Sequence, residues 1–68
     1  MGKMVGEKIK KLREEKNISQ QELAEKTGIA QTTISKYEKN ISSPDFNKMI
    51  KIADYFRVSL DYFADRYK

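Results

Sequence analysis

Cysteine and histidine are both missing from this chain of 68 residues. Without cysteine there is no disulfide framework and no thiolate zinc site. Without histidine the chain lacks the usual general base near neutral pH and the usual neutral metal ligand. No apolar run approaches the ~20 residues that a bilayer-spanning helix needs. The N-terminal stretch MGKMVGEKIKKLREEK is cationic but has no apolar centre of the kind a secretory signal requires. Met1-Gly2 opens no myristoylation motif, because Gly6 stands where that motif needs Ser or Thr. Turn-formers are scarce as well: Gly 3, Pro 1, and no Asn-Gly or Asp-Gly pair to close a β-hairpin. No glycine loop that could cradle a phosphate is visible, and Glu14-Glu15 and Glu22/Glu25 fall on expected solvent faces. The expectation is a cytoplasmic domain without strands, membrane anchor, cofactor, metal or small-molecule substrate, and not an enzyme.

What is present fits one helical domain covering residues 1–68. A domain of this size buries only about 60% of its unfolded surface, so it depends on tidy helix packing. Hydrophobic residues at 38% and charged residues at 35% give the balance of a soluble globular domain. Lys and Arg outnumber Asp and Glu by 14 to 10, for a net charge of +4. That surplus suits a polyanionic partner but is weak evidence by itself.

Apolar residues recur at helical spacing. A first helix is expected over residues 5–16, with Val5, Ile9, Leu12 and the Lys16 stem on its inner stripe. Asn17 ends it in a left-handed conformation. Ser19, with Glu22 three residues on, forms a capping box for a second helix, with Leu23 and Ala24 facing inward until Gly28 stops it. A third helix is expected over 31–39, with Ile34 and Tyr37 on one side and Asn40 in the left-handed position after it. The segment ISSPDFN reads as a loop. Asp45 caps a fourth helix, whose inner stripe is expected to be Phe46, Met49, Ile50, Ala53 and Phe56. Ser59 caps a last helix over 60–65 that contributes Leu60 and Phe63. No repeat, low-complexity segment or linker interrupts this order.

The second and third helices form an unusual pair. From Gln20 onward come Leu23, the small Ala24, Gly28, Ile29, Ile34 and Tyr37. Two helices meeting at a steep angle need this set: a small residue for close approach, a glycine for the sharp turn, and apolar residues to fill the wedge. The stretch ISQQELAEKTGIAQTTISKYEKN, followed by SPDFNKMIKIADYFRVSLDYF, resembles the Cro/C1-type helix-turn-helix family of lambdoid phage repressors and their bacterial relatives. The resemblance runs from about Gly6 to Phe63. It is carried by Ser-Gln-x-Glu-Leu-Ala, the turn glycine, Thr-Ile-Ser-x-x-Glu, Ser-Pro and Val-Ser-Leu-Asp. It implies an all-α, compact five-helix bundle of the lambda repressor type, with the helix-turn-helix at about 20–39. It also implies sequence-specific binding to double-stranded DNA by a homodimer on an inverted-repeat operator, usually to repress transcription.

Matched position by position, the family's base-reading places fall on Gln31, Thr32, Ser35 and Lys36. Their chemistry suits the role. A glutamine amide can bond adenine N6 and N7, a lysine can donate to guanine O6 or N7, and a threonine methyl can pack on that of thymine. Ser35 is short and reaches a base edge through water. Gln20, Thr33, Lys39, Asn40 and Ser42 match phosphate-contacting places, which set register rather than sequence preference. Arg13 and Glu38 match a charge pair seen in many relatives and would tie the first helix to the reading helix. Three positions depart from the family pattern. Ala30 replaces the Ser or Thr that usually caps the recognition helix, Arg57 occupies a turn position that is often glycine, and Thr27 replaces a commoner aliphatic residue.

Blander readings stand beside these. The polar set on the third helix also fits an ordinary solvated face. Lys3, Lys8, Lys10 and Lys11 are interleaved with Glu7, Glu14 and Glu15, which reads as a solvated face with i,i+4 pairs. Tyr55, Tyr62 and Tyr67 have no obvious inward position. A homodimer contact built from the last helix, the turn before it and the tail, with Arg57, Tyr62 and Tyr67, is one expectation; spare surface tyrosines are the other. An antitoxin or adaptor that grips another protein is the alternative function on this fold, where antitoxins usually add a toxin-binding extension.

Overall fold

The computed structural model describes residues 3–64, with the side chains of residues 5–63. Five helices follow in order: α1 (Lys3–Glu15), α2 (Gln20–Thr27), α3 (Gln31–Glu38), α4 (Phe46–Phe56) and α5 (Leu60–Ala64). No strand occurs among the described residues, so the all-α expectation holds. α1 packs on α3 and α5, α2 on α3 and α4, and α4 on α5.

Local chemistry sets the helix ends. The Ser19 hydroxyl accepts from the Glu22 amide at 3.0 Å, which forms one arm of the expected capping box. Asp45 Oδ1 accepts from the Lys48 amide at 2.9 Å and opens α4. The last helix is different: Ser59 contributes its backbone carbonyl, to the Tyr62 amide at 3.1 Å. Asn17, Asn40 and Arg57 take left-handed conformations after α1, α3 and α4, with φ of 62, 63 and 61°. At each of these turns the next amide reaches back five residues: Ile18 to the Arg13 carbonyl at 3.2 Å, Ile41 to Lys36 at 2.9 Å, Val58 to Ala53 at 3.0 Å. Together with the bonds Asn17 to Glu14, Asn40 to Tyr37 and Arg57 to Asp54, these make Schellman turns. Gly28, with φ 74°, closes α2 by a single bond to the Ala24 carbonyl at 2.8 Å.

The core gathers Val5 and Ile9 from α1, Leu23 from α2, Ile29 from the following turn, Ile34 and Tyr37 from α3, Ile52 and Ala53 from α4, and Phe63 from α5. Ile9, Leu23, Ile34, Ile52 and Phe63 are fully buried. Each stabilises the fold by roughly 1.5–3 kcal/mol relative to an exposed side chain. Leu12, Met49, Phe56 and Leu60 pack partly against this core.

The expected inner stripe of α4 needs correction. Phe46 is 67% exposed and Ile50 only half-buried, whereas Ile52 is fully buried. The stripe that faces inward is Met49, Ile52, Ala53 and Phe56, spaced i, i+3, i+4, i+7. Both registers satisfy the helical period and share Met49, Ala53 and Phe56. The packing of α4 on α2 and α5 selects the one containing Ile52. Lys16, whose stem was expected on the α1 stripe, is exposed; its ammonium lies 5.6 Å from the Tyr55 ring centre.

Gly6 holds a role that its sequence gave no hint of. It is buried, and a Cβ built on it would overlap the Tyr37 carbonyl oxygen and meet Asn40 Oδ1 at 2.7 Å. α1 therefore crosses the C-terminal end of α3 with no space for a side chain.

Candidate nucleic-acid interface

The pair α2–α3 is built around the turn at 28–30. Leu23 and Ile29 are buried beneath it. Thr27, expected as an unusual residue, is buried too; its hydroxyl donates to the Leu23 carbonyl at 2.7 Å and so needs no other partner. Ala30 is extended, at φ −60° and ψ 143°, and caps α3 without a side-chain hydrogen bond. Its carbonyl accepts the Ile34 amide at 3.0 Å.

Ile34 and Tyr37 anchor α3 to the core. With 3.6 residues per turn, Thr32, Lys36 and Lys39 then point away from the core, while Gln31, Ser35 and Thr33 flank them. Gln31, Thr32 and Lys36 are exposed, and Ser35 is half-buried. All of the residues singled out as base readers thus fall on one contiguous outward surface. Lys39, Asn40 and Ser42 continue it, exposed, into the loop after α3. Thr33 is half-buried at its edge. The face carries the exposed side chains of Lys36 and Lys39.

Gln20 stands elsewhere. It is half-buried at the start of α2, and its amide donates to Glu38 Oε1 at 3.0 Å. That bond is part of a buried network. Arg13 Nε donates to Glu38 Oε2 at 2.7 Å, and Nη2 to Oε1 at 3.0 Å. Arg13 Nη1 donates to the Ile18 carbonyl at 2.9 Å. The Arg13 and Glu38 side chains are 14% and 4% exposed. The hydrogen bond to Glu38 raises the Arg13 pKa above its ordinary value despite burial. One carboxylate therefore ties α1, α2 and the last turn of α3 together. The bidentate geometry fixes direction as well as distance. Nothing in the spacing of Gln20 announces its bond to Glu38, because those residues meet only after α2 and α3 have docked.

Two of the residues expected at a dimer contact, Arg57 and Tyr62, lie among the described residues. Arg57 is exposed in its left-handed turn. Tyr62 is half-buried against its own chain: its ring meets Phe63 edge-on at 5.3 Å, Lys8 Nζ lies 5.3 Å above it, and its carbonyl accepts from Lys8 Nζ at 2.8 Å. Tyr55 also packs on its own chain, edge-on to Phe56 at 5.1 Å. The view that these tyrosines lack an inward place is therefore corrected. Each is amphipathic, with its ring on the core edge. Tyr67 lies outside the described residues. Among the described residues no group of acidic side chains could hold a metal ion, and no helix is long and apolar enough to cross a membrane.

A sharp turn with a left-handed glycine, a small residue at its crossing and a polar outward α3 define a helix-turn-helix protein. The chain belongs to the helix-turn-helix family, whose model matches residues 9–63. YqaE of Bacillus subtilis (strain 168), named an uncharacterized HTH-type transcriptional regulator, is 39% identical over 59 residues, which are 87% of this chain and 51% of that protein. The HTH-type transcriptional regulator SinR of the same strain is 36% identical over 63 residues, 91% of this chain and 57% of SinR. The chain thus spans about half the length of the curated relatives it matches. The solved N-terminal DNA binding domain of SinR superposes with a TM-score of 0.88 at 34% identity, covering 97% of this chain and 99% of that one.

Proposed function

We propose that this chain is a DNA-binding transcriptional regulator that reads duplex DNA in the major groove with α3. The observation that carries the reading is the outward face of α3, with Gln31, Thr32, Ser35 and Lys36 presented together on a helix held rigidly by Ile34, Tyr37 and Glu38. Gln31 addresses adenine, Lys36 guanine and Thr32 thymine, while Ser35 acts through water. Lys39, Asn40, Ser42 and Thr33 contact phosphates at the rim and supply affinity without sequence preference. Gln20 bridges Glu38 and a phosphate at the start of α2. The similarity to a DNA-binding domain of SinR supports this reading.

The regulator works in the cytoplasm as a homodimer on an inverted repeat and represses by occupying its operator. Arg57 and Tyr62, with Tyr67, supply the dimer contact. Catalysis has no part in this function. A second reading, a module whose main task is to bind another protein, draws on a matched structure described as a SinR–SinI complex, with a TM-score of 0.85 at 35% identity, over 91% of this chain and 61% of that one.

Selection of bound duplexes from a random library by the purified chain tests the proposal. Enrichment of two inverted half-sites centred about 10 bp apart is the expected result. Weak binding with no enriched sequence and a steep salt dependence would leave only phosphate attraction, and the protein-binding reading would take its place.

A further inference from the structure

The three Schellman turns differ in one respect. Each places an apolar residue directly after the left-handed one: Ile18, Ile41 and Val58. In this turn such a residue ordinarily packs against the end of its own helix. Ile18 and Val58 are partly buried, packed against the core. Ile41 is 67% exposed, and among the described residues Phe46 is the other large hydrophobic so exposed.

The backbone fixes the place of Ile41. Its amide and that of Ser42 both converge on the Lys36 carbonyl, at 2.9 and 3.4 Å. Ile41 therefore sits just beyond Lys36, next to Lys39 and Asn40, at the C-terminal end of the proposed reading face. Lys36 and Lys39 are exposed there, so the matching surface is anionic with apolar patches. Duplex DNA offers both. Its phosphates meet the lysines, and its deoxyribose carbons and thymine methyl groups meet the isoleucine.

We propose that Ile41 is an apolar DNA contact that closes the C-terminal end of the reading face. The inference rests on α3 reading duplex DNA. Its energy comes from desolvation of the side chain, so it adds affinity without adding to the salt dependence.

The test titrates the 68-residue chain and its Ile41→Ser and Ile41→Val variants against the selected duplex, at several salt concentrations. The same duplex with thymine replaced by deoxyuridine is titrated in parallel. Ile41→Ser should weaken binding by about five- to tenfold, the scale of partly burying one isoleucine. The salt slope and the melting temperature of the free protein should not change, and Ile41→Val should keep most of the affinity. A loss confined to the thymine duplex assigns the contact to a methyl group, and an equal loss on both duplexes assigns it to deoxyribose; either supports the proposal. Wild-type selectivity with an Ile41→Ser variant that binds equally well overturns it and leaves the α3 reading intact. Absence of selective binding by the wild type overturns the α3 reading and Ile41 with it. A change in the sedimentation of free Ile41→Ser, with DNA affinity unaltered, assigns the side chain to a protein interface and overturns the proposal.

Discussion

Replacing Gly6 by alanine opposes two effects of known size. Alanine is the better helix former, and in the interior of α1 it would gain about 1 kcal/mol over glycine. The added Cβ, however, would overlap the Tyr37 carbonyl oxygen and crowd Asn40 Oδ1 at 2.7 Å. The first of these is backbone, at the end of a helix anchored by Tyr37 and Glu38, and it has no rotamer by which to move aside. Overpacking of this kind costs about 1–3 kcal/mol and sometimes more, and a backbone collision belongs at the upper end. The collision wins, by about 2 kcal/mol. A chain of this length has a total stability of roughly 3–10 kcal/mol, so the melting temperature should fall by roughly 8–16 °C. Gly28→Ala supplies the contrast. Its φ is 74°, but an added Cβ meets nothing within 4 Å. The cost there is conformational alone, about 1 kcal/mol. Thermal melts followed by circular dichroism compare the two variants. Gly6→Ala melting at or above wild type would refute the close crossing of α1 over α3.

Other substitutions probe the same frame. Ala30→Ser should supply the cap that α3 lacks and stabilise the protein by about 1 kcal/mol; an unchanged urea midpoint would mean that another group already satisfies the first turn. Glu38→Gln removes the carboxylate that pairs with Arg13, leaving its guanidinium only the Ile18 carbonyl and a neutral amide oxygen, and should cost about 3 kcal/mol, read by chemical denaturation; a loss near zero would mean that the network does not hold α3. Burial, reinforced by the Asp45 carboxylate, raises the Tyr37 phenol above its ordinary pKa of 10.0. The native state therefore holds that proton more tightly than the unfolded chain, so this contribution is intact below about pH 10 and fades as pH rises beyond it. Tyr37→Phe should flatten the alkaline loss of stability in urea titrations, and parallel pH profiles for the two proteins would count against it.

Much of this fold is written locally. Ser19 and Asp45 cap through their own side chains, and Asn17, Asn40 and Gly28 end helices by a conformation those residue types favour. Such signals act within four or five residues and can be read without knowing the fold. The stripe of α4 cannot be read that way. Phe46, Met49, Ile50, Ile52, Ala53 and Phe56 offer two helical faces, and only the helices packed against α4 choose between them. Gly6 was unreadable for a related reason, since a close crossing is a property of two helices and glycine carries no side chain to mark it. At the candidate site, the outward position of Gln31, Thr32 and Lys36 followed from the period of α3 once Ile34 and Tyr37 were taken as core. The bond between Gln20 and Glu38 did not, because it joins residues from different helices. Tyr55 and Tyr62 were misjudged because a ring lying along the edge of a small core shows no periodic signature.

The most direct test of α3 as a reading helix is the affinity of wild type and Gln31→Ala for every single-base variant of the selected half-site, at one fixed salt concentration. A reading role for α3 predicts that Gln31→Ala loses about 1–3 kcal/mol on the best sequence and loses its preference at one base pair, with preferences elsewhere retained. An identical preference at every position, whatever the change in overall affinity, would contradict it.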